Sequence, residues 1–213
     1  MWRTKGFTHR KELIEDVNPS TDEQLLADHL AGRSGQFELL VERHSPELYR
    51  FLARFTGSAT TADDIVQETF LQVHLSAETF DRSRRFKPWL FTIAANKARD
   101  WMRSRARKPE VPLDAHVGNE QDEGQRFLHL LADEMDAPSI VLEDKEQQEI
   151  VRQVVEDLPD NLREVLVLNY FQHFAYKEIA EMLDVPLGTV KSRLHAAVRA
   201  FGQAYQAALR ERA

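Results

Sequence analysis

Two runs of this sequence place side chains suited to gripping a polyanion, and neither is laid out for breaking bonds. The first is carboxy-terminal. Tyr176 to Leu183 has helical period, Asp184 to Gly188 reads as a turn, and a second helix follows from Thr189 to about Tyr205. Ile179, Ala180 and Leu183 fall on one face of the first helix, and Val190, Leu194 and Ala197 on one face of the second. The small Ala180 permits close approach, and Val185 can plug the turn. With that set turned inward, Thr189, Lys191, Ser192 and Arg193 lie on the exposed first turn, where the Thr189 hydroxyl is placed to cap the helix. This is the layout of a helix-turn-helix, whose second helix enters the major groove by its first turn. Lys and Arg there reach guanine edges or phosphates, and Ser and Thr reach either. An ordinary helical hairpin is the alternative.

The second run is residues 82–108, with 10 basic side chains against one acidic, and Trp89, Phe91 and Trp101 among them. Clustered cations neutralise phosphates and release counterions, and aromatic faces stack on bases. A solvated charged face, with the aromatics in the core, is the alternative. Other chemistries find little support. With no cysteine there is no thiolate metal site, disulfide or thiol nucleophile. The 8 histidines include no pair at metal-ligand spacing on one helix. Nor is there a glycine-rich phosphate loop or a plausible triad spacing, so no catalytic residue, metal or cofactor is expected.

The elements that must carry these runs are helices. In a chain of 213 residues only 8 are Gly and 8 are Pro, and β-branched runs are few. Phe37, Leu40, Val41, His44, Leu48, Phe51, Leu52 and Phe55 recur in steps of three and four, which predicts one amphipathic helix stopped by Gly57-Ser58. A second spans about Ala62 to Leu75, with Ile65, Val66, Thr69, Phe70 and Val73 inward and Asp63-Asp64 at its positive end. After a polar loop, Pro88 suits the first turn of a third helix, whose stripe is Leu90, Ile93, Ala94, Lys97 and Trp101 and which reaches about Arg107. Residues 109–137 are acidic, polar and punctuated by Pro109, Pro112, Gly118 and Gly124, which predicts a linker. Helical period returns from Ser139, with Ile150, Val151, Val154, Val155 and Leu158 before Pro159, then Leu162, Val165, Leu166 and Leu168. The fold expected is all-α, two small helical domains joined by a flexible acidic linker.

Charge follows the same division. The total is -7, yet residues 109–157 hold 14 acidic against 3 basic side chains, between two basic segments. No apolar run approaches the roughly 20 residues of a membrane span. The amino terminus lacks the apolar stretch of a secretory signal, so the expected location is cytoplasmic.

At these residues the sequence resembles a known family. Ile179-Ala180, Val185-Pro186 and Gly188-Thr189-Val190-Lys191-Ser192-Arg193-Leu194 are similar to region 4 of bacterial RNA polymerase sigma factors of the extracytoplasmic-function group. Ala62-Asp63-Asp64-Ile65-Val66-Gln67-Glu68-Thr69-Phe70 resembles the region 2 helix that grips core polymerase. Phe86-Lys87-Pro88-Trp89-Leu90-Phe91-Thr92-Ile93-Ala94-Ala95-Asn96 resembles the segment that melts the promoter and reads its −10 element. The motifs come in the family's order. The resemblance implies an amino-terminal extension at 1–21, region 2 at 22–108, an acidic linker at 109–137 and region 4 at 138–213.

It also implies binding in place of catalysis. Asp63, Asp64, Gln67 and Glu68 would face a basic coiled coil of core RNA polymerase. Phe80 and the 81–87 loop, with Arg84 and Arg85, stand where the family captures an extruded −10 base, and the Asn96 amide would contact a base edge. Lys97, Arg99 and Arg103 would hold phosphates along that helix. Gly188, Thr189, Lys191, Ser192, Arg193 and Arg199 would bind the −35 duplex. The partners implied are the β′ and β subunits of core polymerase, promoter DNA and an anti-sigma factor. The sequence departs from the pattern after Leu194-His195, where Ala196-Ala197-Val198 precede Arg199, and at Asp184, where Gly is frequent. Two rivals remain. A dimeric helix-turn-helix regulator would leave 80–107 unexplained, and a helical protein that sequesters a regulator would not bind DNA.

Overall fold

A computed structural model describes residues 20–107 and 145–211, so the expected linker and the extension through residue 19 lie outside the described residues. Among the described residues all regular structure is helical. Helix α1 spans Asp22–Leu30, α2 Gln36–Thr56, α3 Ala59–Ser76 and α4 Phe86–Arg107. Then come α5 at Lys145–Glu156, α6 at Asp160–Leu166, α7 at Tyr176–Leu183 and α8 at Leu187–Glu211.

Local chemistry sets the boundaries. Thr21 and Gln24 cap α1 reciprocally: Thr21 Oγ1 accepts from the Gln24 amide at 3.2 Å and Gln24 Oε1 from the Thr21 amide at 3.1 Å. Gly57 ends α2 in the left-handed region (φ +72°), and its amide donates to Ala53 O at 2.9 Å. One residue later Ser58 starts α3, its hydroxyl accepting from the Thr61 amide at 3.3 Å. Helix α4 opens at Phe86, one turn before the expected stripe, so that Pro88 sits within its first turn. After α6 the chain loosens into a π-type turn at Val167–Phe171, where the Gln172 amide reaches back five residues to Val167 O at 3.2 Å.

The helix-turn-helix departs from expectation in one respect. Helix α8 begins at Leu187, and Thr189 donates its amide to Pro186 O at 2.8 Å, so Thr189 lies inside the first turn and is not the cap. Pro186 explains the earlier start: its fixed φ and missing donor suit a helix entrance. Asp184 turns the chain at φ +51°, and the Val185 amide closes on Ala180 O at 3.1 Å.

Helices α1–α4 pack as one bundle and α5–α8 as another, but their cores are continuous. Leu40, Phe51, Phe55, Leu90 and Phe91 from the first are buried in one cluster with Val155, Val165, Leu168, Phe174 and Ile179 from the second. The junction is aromatic and cationic. Phe91 meets Phe174 edge-on with centroids 5.1 Å apart, and the Arg54 guanidinium lies 4.4 Å from the Phe171 ring centroid.

Candidate nucleic-acid interface

Three faces carry the residues that the sequence singled out. On α3, Ile65, Thr69, Phe70 and Val73 point into the core, which leaves Asp63, Asp64, Gln67 and Glu68 together on the exposed side. Leu71 and Leu75 prolong that side and are 59% and 70% exposed. Neither leucine is among the residues singled out from the sequence. Their signal was there: in a helix whose inward set is 65, 69, 70 and 73, leucines at 71 and 75 have no core to enter.

The second face joins the 81–87 loop to α4. Phe80 is buried under Trp89 and Phe86, with ring centroids 4.8 Å and 6.2 Å away, so it forms the floor of an aromatic cluster. Trp89 is half-buried there, and Phe91 is fully buried. Asp81 organises the loop, its Oδ1 accepting from the Ser83 amide at 3.0 Å and the Ser83 hydroxyl at 2.7 Å. Those bonds hold its carboxyl below the usual range, with Arg84 Nε assisting at 3.6 Å. The Phe86 amide donates to Glu23 Oε1 at 2.8 Å, tying the end of the loop to α1. Beyond the loop, Asn96 is exposed and its Oδ1 accepts from Arg99. Lys97 reaches Glu68 Oε2 at 3.4 Å, so a candidate phosphate contact is paired with a candidate polymerase contact. Arg103 pairs with Asp100, one turn back on the same helix.

The third face is the first two turns of α8, with Lys191, Ser192 and Arg193 one turn later than expected because the helix starts at Leu187. Gly188, Lys191, Ser192 and, two turns further on, Arg199 are exposed, whereas Thr189 and Arg193 are half-buried. The Ser192 hydroxyl donates to Thr189 O at 3.0 Å. Arg193 lines a cleft of about 260 Å³ with Arg99 and Arg103 of α4 and with Asp160, Asn161 and Glu164 of α6. Glu164 is the buried acid there, its Oε1 lying 3.3 Å from Arg99 Nε. Burial pushes the Glu164 carboxyl up to about 7, against the pull of Arg99 and Arg193.

A second cavity, of about 380 Å³, lies between the loop and α7. Ser83, Arg84, Arg85, Pro88, Trp89 and Thr92 line one side, and Glu178, Glu181 and Met182 line the other. Arg85 crosses it to Glu178 Oε1 at 2.9 Å, while Glu178 Oε2 accepts from the Ala175 amide at 2.9 Å and so caps α7. Of the expected −35 residues the structure therefore brings Arg193 beside the expected −10 residues Arg99 and Arg103, while Gly188, Thr189, Lys191, Ser192 and Arg199 line neither cavity. No group of three or more His, Asp or Glu side chains able to hold a metal ion occurs among the described residues. No described helix is long and apolar enough to cross a membrane.

Comparison with known proteins assigns both halves of the chain to one family. Residues 40–108 match the family model of sigma-70 region 2, and residues 148–201 match that of sigma-70, region 4. The ECF RNA polymerase sigma factor SigW of Bacillus subtilis is 33% identical over 164 residues, which covers 77% of this chain and 86% of SigW. Among solved structures, CnrH in complex with the cytosolic domain of CnrY superposes with a TM-score of 0.62 at 24% identity, covering 88% of this chain and 99% of that one. The sigma factor RpoE in complex with the anti-sigma factor NepR from Bartonella quintana gives 0.57 at 23% identity, over 80% and 96% of the two chains. At those identities the two structures bear on the fold alone.

Proposed function

The chain belongs to the extracytoplasmic-function sigma factors of RNA polymerase, and from that premise we propose how its residues share the work of transcription initiation. As a sigma factor it binds core RNA polymerase, confers promoter specificity and assists promoter melting. It acts through binding, and its place of action is the cytoplasm, where core polymerase is. The unit at 22–108 docks on polymerase and holds the melted −10 strand, and the unit at 138–213 reads the −35 duplex.

In this division Asp63, Asp64, Gln67 and Glu68 meet a basic surface of the polymerase. Their joint exposure on α3 supports that role, and Leu71 and Leu75 extend the contact with apolar area. Arg84, Arg85, Lys97, Arg99 and Arg103 take phosphates of the −10 strand, and Asn96 takes a base edge. Phe80 supports this site from beneath, as part of its aromatic floor, and does not stack openly. Gly188, Thr189, Lys191, Ser192, Arg193 and Arg199 contact the −35 element. An anti-sigma factor, of the kind that the solved RpoE complex contains, is the expected regulatory partner.

The observation that carries this reading is the exposed face of the first two turns of α8, at the end of a closed helix-turn-helix, in the same chain as an acidic α3 face and a basic α4. The test is in vitro transcription with purified core polymerase on a library of promoter fragments. Start sites should appear only when the protein is added. Asn96→Ala should weaken those with a given −10 base, and Arg193→Ala those with a given −35 base, each by about 10- to 100-fold for a lost base contact. Duplex binding without polymerase, together with no new start sites, would refute it in favour of a dimeric regulator.

A further inference from the structure

Away from the three faces, the first bundle brings two histidines together. His29 lies in the last turn of α1 and His74 in the last turn of α3, with His29 Nε2 and His74 Nδ1 facing each other at 3.0 Å. The two positions are 45 apart in the chain, so only the fold reveals the pair. We propose that His29 and His74 form a two-histidine site for a divalent transition-metal ion of the copper, nickel and zinc class, which ties the end of α1 to the end of α3.

Distance, support and field argue for it. Two nitrogens bound in cis at about 2.1 Å stand about 3.0 Å apart at a right angle, and about 3.4 Å apart at a tetrahedral one. The pair already has the first of these separations. A ring turn is still needed to aim both lone pairs at one point, and His74, which is exposed, is free to make it. His29 is half-buried and held more firmly. Phe37 of α2 packs on both imidazoles, its ring centroid 4.9 Å from that of His29 and 5.5 Å from that of His74. Phe37 in turn meets Phe70 edge-on at 6.3 Å, so the core keeps the two rings side by side. Both histidines also sit at the negative end of a helix dipole, which favours a cation.

The donor set selects the ion. Imidazole nitrogen suits copper, nickel and zinc, whereas magnesium and calcium take oxygen ligands. The described residues bring no third ligand to the pair, so water completes the shell. In the hydrogen-bonded pair one facing nitrogen carries a proton. Binding moves that proton to the outer nitrogen of the same ring, which frees both facing lone pairs. The site uses no residue assigned to polymerase or to DNA, and so it stands or falls apart from the functional reading.

The test titrates the full chain, without an added histidine tag, with Cu²⁺ and follows it by pulsed electron paramagnetic resonance. The tightest-bound ion should show modulation from two equatorial imidazoles. His74→Gln should remove one of them and weaken binding by about 100-fold, because the second ligand no longer adds to the first. The exposed position of His74 keeps that variant folded, and His29→Gln should repeat its result. With Zn²⁺ in excess, the melting temperature of the unaltered chain should rise by several degrees, and that of either variant by about one degree or less. A pair that only hydrogen-bonds would lower the melting temperature of the variants and give the unaltered chain no gain from zinc, and that result would overturn the proposal. So would a single imidazole in the unaltered chain, or a two-imidazole signal that survives in the His29→Gln, His74→Gln double variant.

Discussion

Helices α3 and α4 are neighbours in one bundle, yet their outer faces are in opposite states. On α3 the carboxylates of Asp63 and Asp64 stand in solvent and make no ion pair among the described residues. On α4 and the loop before it, the cations are engaged: Arg85 with Glu178, Lys87 with Glu47, Lys97 with Glu68, Arg99 with Asn96 and Glu164, and Arg103 with Asp100. One face is ready for a partner and the other already has substitutes for one. The substitutes are also unequal. Exposed pairs such as Arg103–Asp100 are worth at most about 1 kcal/mol and yield readily to a phosphate. The Arg99–Glu164 contact is buried, so separating it must be coupled to movement of a whole domain.

The largest effect should come from breaking the ready face. Replacing Asp63, Asp64 and Glu68 by their amides, with Gln67→Ala, removes a contact set of the size that dominates interfaces, so affinity for core polymerase should fall by roughly 100-fold or more. Titration of labelled protein with core polymerase measures it. The packing of the two bundles in the free chain should not change, since only Glu68 of the four touches another helix, through the Lys97 pair. A quadruple variant that bound core polymerase normally would end the comparison, because α3 would then not be the polymerase face.

Much of this layout was legible in the sequence. Residue types with a helical period identified both ends of α3 and α4 to within a few residues, and Val190, Leu194 and Ala197 fixed which side of α8 faces out. What stayed hidden has a common cause. Glu178 reads as an acid in the first turn of a helix, where acids are favoured in any case, and nothing local says that it reaches Arg85, 93 positions away. Glu164 reads as polar surface on a helix of seven residues, and it becomes a buried acid only because α4 and α8 both close on it. Phe174 has no periodic partners, since the π-type turn before it breaks the register. Contacts between domains leave no period, so they were invisible where contacts within helices were plain. The linker was read from composition and the amino-terminal extension from the family resemblance, and the linker and the extension through residue 19 lie outside the described residues.

A smaller effect should sharpen the contrast from the engaged side. Burial raises the Glu164 carboxyl to about 7, above its ordinary value of 4.5. The groups facing it are Arg99 and Arg103 from α4, Asp160 and Asn161 from its own helix, and Arg193 from α8. Opening the domains rehydrates Glu164 and returns it toward the ordinary value. The closed form thus holds a proton that the open form releases. Closure is fully favoured below the ordinary carboxylate value and loses that advantage as pH rises through about 7. The fraction of free chain with the two bundles apart should therefore grow as pH rises from about 4.5 to about 7 and level off above that, and Glu164→Gln should abolish the trend while keeping the bundles together. On the acid side a different group sets the limit. The Asp22 carboxyl, although half-buried, is held below its usual range by hydrogen bonds from His44 and Arg43, so its stabilisation of the first bundle is lost only as pH falls through that lowered value. Small-angle scattering measures the separation of the bundles, and a profile that did not vary with pH would mean that Glu164 stays hydrated in the closed form.

The smallest effect separates the stability of region 4 from its attachment. Asp184 holds φ +51° in the turn of the helix-turn-helix, a conformation that costs an L-residue with a Cβ about 1–2 kcal/mol and costs glycine almost nothing. Asp184 is exposed, and its side chain makes no hydrogen bond among the described residues, so Asp184→Gly removes strain without removing a contact. Glycine also gives the unfolded chain more freedom, which returns roughly half of the gain. The net expectation is a stabilisation of under about 1 kcal/mol, seen as a rise of a few degrees in the melting temperature of the full chain. Because Asp184 lines neither junction cavity, the open and closed populations should stay as they were. A shift in those populations would show that the turn and the junction are coupled, and that the recognition helix is strained by being held closed.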